Sequence, residues 1–526
     1  ECKKTRGGTI IYSVPYIRKQ MVLLDNTKRR AVMNYYLGVD VGTSSVKSLL
    51  MDSEGKTVGT SQIGYDIIKE KLQYAEQDME KLWEATKETI TDLVKRYPEE
   101  SAKIHGISYS GQMHGLVMIG ADGKLIRNAI IWADQRSEKE IQKIYDITGK
   151  DTYRGTVLNS LSTGFLISSL MWVKEHEPEN FEKIRYVVFP KDYIRYKMCG
   201  EIGTDMSDAS SGAIFDTKKR DWAWGLIEKL QMPKEIFPEC HEAYEAAGTV
   251  NKECAEQTGL KEGIKIAYGG GDTLMQGVGN GIIRPGVLAA NIGTSCQISG
   301  GFNEPLYDEK FRTNTFCHVK EDLWMLMGAH LSGGVALKWL MNNILEMGSY
   351  DEMTSLAASV PAGSEGLVFL PYLSGERTPY NDPNAKGIYF GMTLKHERAH
   401  MIRSTMEGIV FGLRTSIEIF KDLGIEYHKI IASGGGARGK LFLEMQADIF
   451  DCEIYTNQGN EQACIGAAIT AAIAAGEFGN YEEACDKLVH MKDTIVTPNH
   501  ENQKYYEEQF AIFRELYGHN ADLFRL

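Results

Sequence analysis

One short device occurs twice in this chain, far apart. "YYLGVDVGTSSVKSLLMDSEGKTVG" (35–59) and "GVLAANIGTSCQISGG" (286–301) each run apolar strand, Gly-Thr-Ser turn, apolar strand. A second glycine-rich strand-to-helix turn follows in "KIIASGGGARGKLFLEMQADIF" (429–450). A supersecondary unit recurring at distant points is the mark of internal duplication. With 526 residues available, it predicts two related α/β domains meeting at a cleft, joined near Asn280–Arg284. The expected division is 34–281 and 282–526, with residues 1–33 set aside as an extension because the chain opens on Glu1 and offers Met21 and Met33 as alternative starts. Within the first unit, "DMEKLWEATKETITDLVKRY" (78–97) has helical spacing, with Asp78 as N-cap and Pro98 beyond its end. "IHGISYSGQMHGLVMIGADGKLI" (104–126) reads as strand, glycine turn and strand.

The turn has two readings. Gly42 allows a tight bend, and Thr43, Ser44 and Ser45 set hydroxyls beside successive backbone N–H groups, a nest suited to an anion. Asp40, on the strand leading in, would face the same point and could hold a hydrated Mg²⁺. The plainer alternative is an ordinary polar hairpin. The echo "NIGTS" at 291–295 favours the first, since two such turns, one per domain, would clamp a polyphosphate from both sides. A net charge of −13 argues against nucleic acid or an anionic membrane as partner, so any phosphate must be held by amides and a metal ion. The chain has no G-x-x-x-x-G-K-[ST] loop and no apolar run of spanning length. Nine scattered cysteines without a C-x-x-C pair suit free thiols in a reducing cytosol.

In "YGGGDTLMQGVGNGII" (268–283), three glycines precede Asp272 at the mouth of an expected helix. A carboxylate there is placed to accept a substrate proton, or equally to cap the helix. "YSGQMHGLV" and "IIWADQRS" end strands in polar residues, and Gln112, His114, Asp134 and Arg136 are candidates for reading hydroxyls on a small polar ligand. "HERAH" (396–400) fits the H-E-x-x-H zinc pattern, but Arg403 and Glu407 occupy the next positions on that face and no third histidine follows; a helix opening after Thr393 is the preferred reading.

With these stretches together, the chain resembles the FGGY carbohydrate kinases from about Asn34 into the C-terminal region. "GIYFGMTLKHERAHMIRSTME" (387–407) matches the family's second signature and absorbs the zinc pattern. "YLSGERTPYNDPNAKG" (372–387), "SGQMHG" (110–115) and "MSDAS" (206–210) are similar to its D-xylulose-phosphorylating branch. The resemblance implies two ribonuclease-H-like domains, of the actin and hexokinase type, around a nucleotide cleft. It implies ATP and Mg²⁺, and transfer to the terminal hydroxyl of a ketopentose, D-xylulose first. It makes Asp40 the metal-associated acid, reached through water, and Asp272 the catalytic base. Gln112, Met113, His114 and Thr273 join Asp272 in holding sugar. Thr43, Ser44, Ser45, Lys47, Gly293, Thr294, Gly334, Lys338, Gly434, Gly435, Gly436 and Lys440 fall where the family holds nucleotide. Two residues depart from the pattern: Ser169 stands where the first signature carries Lys, and Thr273 where the D-xylulose branch carries Asn. The second keeps ribulose, gluconate or a polyol open as substrates, because a site that hydrogen-bonds a hydroxyl discriminates strongly. An actin- or chaperone-type ATPase is the rival of another class. The expected partners are small molecules in the cytoplasm, with a homodimer as one option.

Overall fold

The computed structural model describes residues 33–526; apart from Met33, the N-terminal segment set aside above lies outside the described residues. Alternating apolar residues form β1 (Tyr35–Val41), β2 (Ser45–Asp52) and β3 (Thr57–Gly64) as an antiparallel meander. Helix α1 (Met79–Arg96) begins where expected, with the Asp78 carboxylate accepting the Glu80 amide at 3.0 Å. It supplies the crossover that a parallel neighbour requires, and β4 (Ile104–Gly111) joins β1 in parallel. A helical excursion follows, including α2 (Pro190–Cys199) and α3 (Met206–Ser211). The chain then returns through β5 (Ala246–Thr249), β6 (Lys265–Ala267) and the short β7 (Gly270–Gly271), giving the order β5-β6-β4-β1-β2-β3 with β7 at the end of β4. Helix α4 (Asp272–Gly279) leads out.

The second sheet repeats this plan. It comprises β8 (Val287–Ile292), β9 (Cys296–Phe302), β10 (Asn314–Cys317), β11 (Trp324–His330), β12 (Lys429–Gly434) and β13 (Ile454–Thr456), in the order β10-β11-β9-β8-β12-β13. Helices α5 (Gly334–Trp339), α6 (Arg398–Asp422), α7 (Lys440–Phe450) and α8 (Gln462–Ala475) accompany it. Without its extra edge strand, each sheet has three antiparallel strands followed by two parallel ones, β3-β2-β1-β4-β6 and β11-β9-β8-β12-β13. This is the ribonuclease-H-like order, used twice. The equivalence extends to register: Asp40 lies opposite Lys47 and Ser110, and Asn291 opposite Gln297 and Ser433. The turns are not identical, because Val41 pairs with Val46 whereas Ile292 pairs with Cys296, one residue shorter.

One expected hairpin is absent. Val117–Gly120 pairs with Ile184–Val188 instead of folding back on β4. Residues 112–115 carry the chain off the sheet, and an apolar run does not specify its partner strand.

Helix α8 follows the second sheet but packs on the first. A methyl group added at Gly38 in β1 would lie 2.0 Å from the Cys464 carbonyl oxygen, and one at Gly106 in β4 would lie 2.4 Å from that of Ala471. Helix α8 also crosses α4 at the same closeness, Gly466 facing the Met275 carbonyl and Gly279 that of Gln462. Leu274, Met275 and Val278 of α4, Cys464, Ala468 and Ile469 of α8, Tyr36 and Leu49 of the first sheet and Met325 of the second form one buried cluster. The halves therefore share a core. Among the described residues no helix is long and apolar enough to cross a membrane.

A side chain at this crossing must push two backbones apart. Gly466→Ala would place its methyl 1.9 Å from the Met275 oxygen, so it is expected to destabilise the fold by ~1–3 kcal/mol. Thermal unfolding beside Gly518→Ala, where nothing lies within 4 Å, is the check; equal midpoints would refute the close crossing.

Candidate active site

The β1–β2 turn is braced from inside by its carbonyls. Gly42 O accepts from the Tyr65 hydroxyl, Thr43 O from Gln77 Nε2 at 2.6 Å, and Ser44 O from the Tyr65 amide at 3.0 Å. The amides of Thr43 and Ser44 make no hydrogen bond among the described residues, so the turn presents donors outward. Its counterpart is built alike: Gly293 O accepts from the Gly334 amide at 2.7 Å, and Thr294 O from that of Val335 at 3.1 Å. That bracing comes from the start of α5, which carries Lys338. The glycine amides close the turns themselves, Gly42 on Ser45 O at 3.1 Å and Gly293 on Ser295 O at 2.9 Å, while the Thr294 amide, like those of Thr43 and Ser44, makes no hydrogen bond among the described residues and is placed to meet an anion.

The second turn opens on a cavity of about 580 Å³ lined by Gly293, Thr294, Gly334, Lys338, Gly435 and Gly436, with Ile402, Met406 and Phe442 as an apolar wall. Glycines beside an apolar slot fit a nucleotide's phosphates and base. Gly434 sits just behind this lining at φ +73, where a methyl group would lie 2.5 Å from Asn291 Oδ1. Lys440 is elsewhere. Its ammonium pairs with Glu444 at 3.2 Å and lines a separate groove, so it does not join the other nucleotide candidates. Lys47 lies beside Asp40 in the β1–β2 ladder, and its ammonium pairs with Glu461, before α8, at 2.7 Å.

Asp40 and Asp272 come from different elements to one partly buried place, close enough for the charge of one to act on the other. Ser110 donates to Asp40 Oδ1 at 2.7 Å, which favours the charge, yet burial dominates and raises its pKa to about 6. Asp272 opens α4. Burial and then the charge of Asp40 push its pKa up to about 7, against the Thr273 amide at 2.6 Å and hydroxyl at 3.2 Å, both donating to Oδ1. The carboxylate does not cap its own helix; Gly271 occupies the N-cap. One oxygen is thus held from behind, and the group is tuned to exchange a proton near neutrality.

Gln112, Met113 and His114 leave the end of β4 next to it. Gln112 Nε2 is spent on Gln77 Oε1 at 2.6 Å, so Gln112 braces the first turn. Met113 is buried against Gly271, where a methyl group would lie 2.8 Å from its Cγ. His114 has φ +75, a strained value for a non-glycine residue, held by its amide on Ser211 Oγ at 3.1 Å and its ring stacked on Phe165 at 4.1 Å. Its Nδ1 lies 2.7 Å from the Ser211 carbonyl oxygen and must donate, which leaves Nε2 as an acceptor. Burial lowers its pKa to about 4 and keeps the ring neutral. Phe316 of β10, in the second sheet, packs 5.9 Å from the ring, so this corner is formed between the halves.

Two candidates are corrected. Asp134 and Arg136 read no ligand: they form a closed buried pair at 2.7 Å, with Arg136 also on Glu76 at 2.6 Å and stacked 3.6 Å over Tyr74. The neighbouring Trp132 was missed. Its ring is half-exposed and its Nε1 donates to Thr43 Oγ1 at 2.9 Å, placing an aromatic face beside the turn; a tryptophan two residues before an acid in "IIWADQRS" was the available signal. The zinc pattern dissolves. His396 precedes the helix that starts at Arg398, both rings accept backbone amides through Nδ1 (from Thr393 at 2.9 Å and Glu397 at 3.1 Å), and Arg403 pairs with Glu407 at 2.8 Å.

Models of the FGGY family of carbohydrate kinases match the chain twice, the N-terminal domain over residues 35–279 and the C-terminal domain over 288–475. The xylulose kinase of Bacillus subtilis is 34% identical over 93% of this chain and 98% of its own. The gluconokinase of the same organism is 30% identical over 92% and 95%. Among solved structures, a ligand-bound xylulose kinase from Lactobacillus acidophilus superposes with a TM-score of 0.88 at 27% identity, covering 93% of this chain and 98% of that one.

A raised carboxylate weakens the folded state once it ionises. Asp272 contributes no penalty below its unfolded pKa of 3.8, and the penalty grows as pH rises toward about 7. Asp272→Asn is therefore expected to melt roughly 1–3 °C higher than the parent at pH 8, with the gap closing toward pH 4. A gap that is absent, or that opens at low pH, would show a hydrated carboxylate.

Proposed function

The chain belongs to the FGGY family of carbohydrate kinases, and we propose that it transfers the γ-phosphoryl group of ATP to the terminal hydroxyl of a ketopentose, D-xylulose. The observation that carries this reading is the carboxylate of Asp272, raised by desolvation and by the charge of Asp40, together with an outward-facing Gly-Thr-Ser turn that follows Asp40 in the chain. In this reading, residues 34–281 are the domain carrying sugar and base, residues 282–526 carry the nucleotide, and the reaction is cytoplasmic.

Each residue has a task. The arcs at Thr43–Ser45 and Gly293–Thr294 hold phosphate oxygens through the amides of Thr43, Ser44 and Thr294, which suits a chain of charge −13. Lys338 adds positive charge at the cavity and Lys47, held by Glu461, adds it beside the first turn, while Gly435 and Gly436 let the nucleotide approach the backbone. Asp40 would hold Mg²⁺ through water: Ser110 engages Oδ1 alone, and a second acid nearby makes a divalent cation welcome. Held by Asp40, such an ion would supply charge neutralisation for the phosphates. His114 Nε2 accepts a sugar hydroxyl, and Met113 with Trp132 forms apolar walls. Asp272 takes the proton as the hydroxyl attacks phosphorus in line. Positioning and electrostatics provide most of the acceleration, since phosphoryl transfer asks little covalent work of the protein. The core shared across the cleft gives the halves a common pivot for excluding water.

Thr273 favours a second reading. Its hydroxyl is turned to Asp272, and it offers a sugar no amide. A sugar acid such as gluconate is the alternative substrate, in keeping with a relative named gluconokinase.

ADP release measured over a panel of pentuloses, polyols and sugar acids is expected to rank D-xylulose first; gluconate first would replace the primary reading. Asp272→Asn should keep ATP affinity and lose turnover by ~10²–10⁴-fold. Near-normal turnover in that variant would remove Asp272 from the mechanism.

A further inference from the structure

Beneath the junction of β7 and α4 lies a cluster of charge sealed from solvent. The Lys191 ammonium of α2 is 2.6 Å from Asp192 Oδ1, 2.9 Å from Asp205 Oδ1 and 3.4 Å from Asp208 Oδ2, and all four side chains are buried. One ammonium among three carboxylates is a costly core, and buried ionic groups of this kind seldom add net stability. What they can add is a fixed geometry.

A continuous path leads from the cluster to the candidate base. Asp205 Oδ2 accepts the amide of Ser207 at 2.8 Å and also its hydroxyl. The same hydroxyl oxygen accepts the Gly271 amide at 2.9 Å. Gly271 is the residue before Asp272 and the third of three consecutive glycines, a stretch that no side chain of its own can anchor. The Asp272 side chain is already locked by Thr273, at 2.6 Å and 3.2 Å. The freedom that remains lies in the backbone, and Ser207 grips it. A methyl group at Gly271 would also lie 3.4 Å from Asp208 Oδ1, so the cluster abuts the same peptide.

We infer that Ser207, held by Asp205 and through it by Lys191, is a positioning residue for Asp272, clamping the glycine peptide from which the base projects. This gives the "MSDAS" stretch a task, and it rests on Asp272 being the base.

Ser207→Ala removes one oxygen and is tested beside Asp272→Asn. The expected result is a kcat lower by ~10–100-fold, as for a small misplacement of a reacting group, with KM for ATP within about twofold of the parent. Amide exchange of a peptide covering 268–276 should speed up in the same variant. A kcat within about twofold of the parent, together with unchanged exchange, overturns the inference. A fall in kcat accompanied by an equal loss of ATP binding and a collapsed melting midpoint also overturns it, since that describes a structural role alone. If Asp272→Asn turns over normally, the reading of the base fails first; if it is inactive while Ser207→Ala is normal, only the clamp fails.

Discussion

The structure depends on a backbone contact between halves. Gly38, Gly106, Gly279 and Gly466 let α8 lie against β1, β4 and α4 at distances no side chain would permit. Because α8 is carried by the second half and rests on the sheet of the first, the two cannot be separated without exposing a common core. Glu461, immediately before α8, is thereby brought to Lys47 beside the first turn. Such a partly exposed pair contributes at most about 1 kcal/mol. Its meaning is geometric, since it ties the strand after the first turn to the crossing helix.

The electrostatics of the site follow from partial desolvation. In water Asp40 and Asp272 would both be ionised well below neutrality and would be poor at taking protons. Burial raises both, and their mutual repulsion raises Asp272 further, to about 7. Desolvation likewise holds His114 neutral, so its Nε2 accepts and does not donate. Nearby, the buried Arg136 is shared between Asp134 and Glu76. Two acids close in sequence to polar turns thus have opposite fates. One is paired with a cation; the other is left with a hydroxyl and an amide and carries a raised pKa.

Much of the fold was legible because duplication is a pattern. The strand, turn, strand unit at 35–52 and its echo at 286–301 take equivalent places in two sheets of the same strand order, and Asp78 caps α1 as its position suggests. What failed were statements about partners. The apolar run at 117–120 pairs with 184–188, and Lys440 turns outward to Glu444. Arg136 and Trp132, four residues apart, exchange the roles their side chains suggest, the cation buried and the aromatic reaching the turn. A side chain's type states what it can bond to; its neighbours in space decide whether that capacity is already spent.

By itself the amino-acid order determined the paired turns, the acids at Asp40 and Asp272 and the glycines around them, since local conformation depends on residues close in the chain. It also carried the family, through motifs of fixed spacing. Only the tertiary structure decided which polar groups remain free, which tautomer His114 holds, and that a sealed Lys191 cluster reaches Gly271 through one hydroxyl. Those outcomes depend on contacts between segments distant in the chain and on the exclusion of water, neither of which has a local signature.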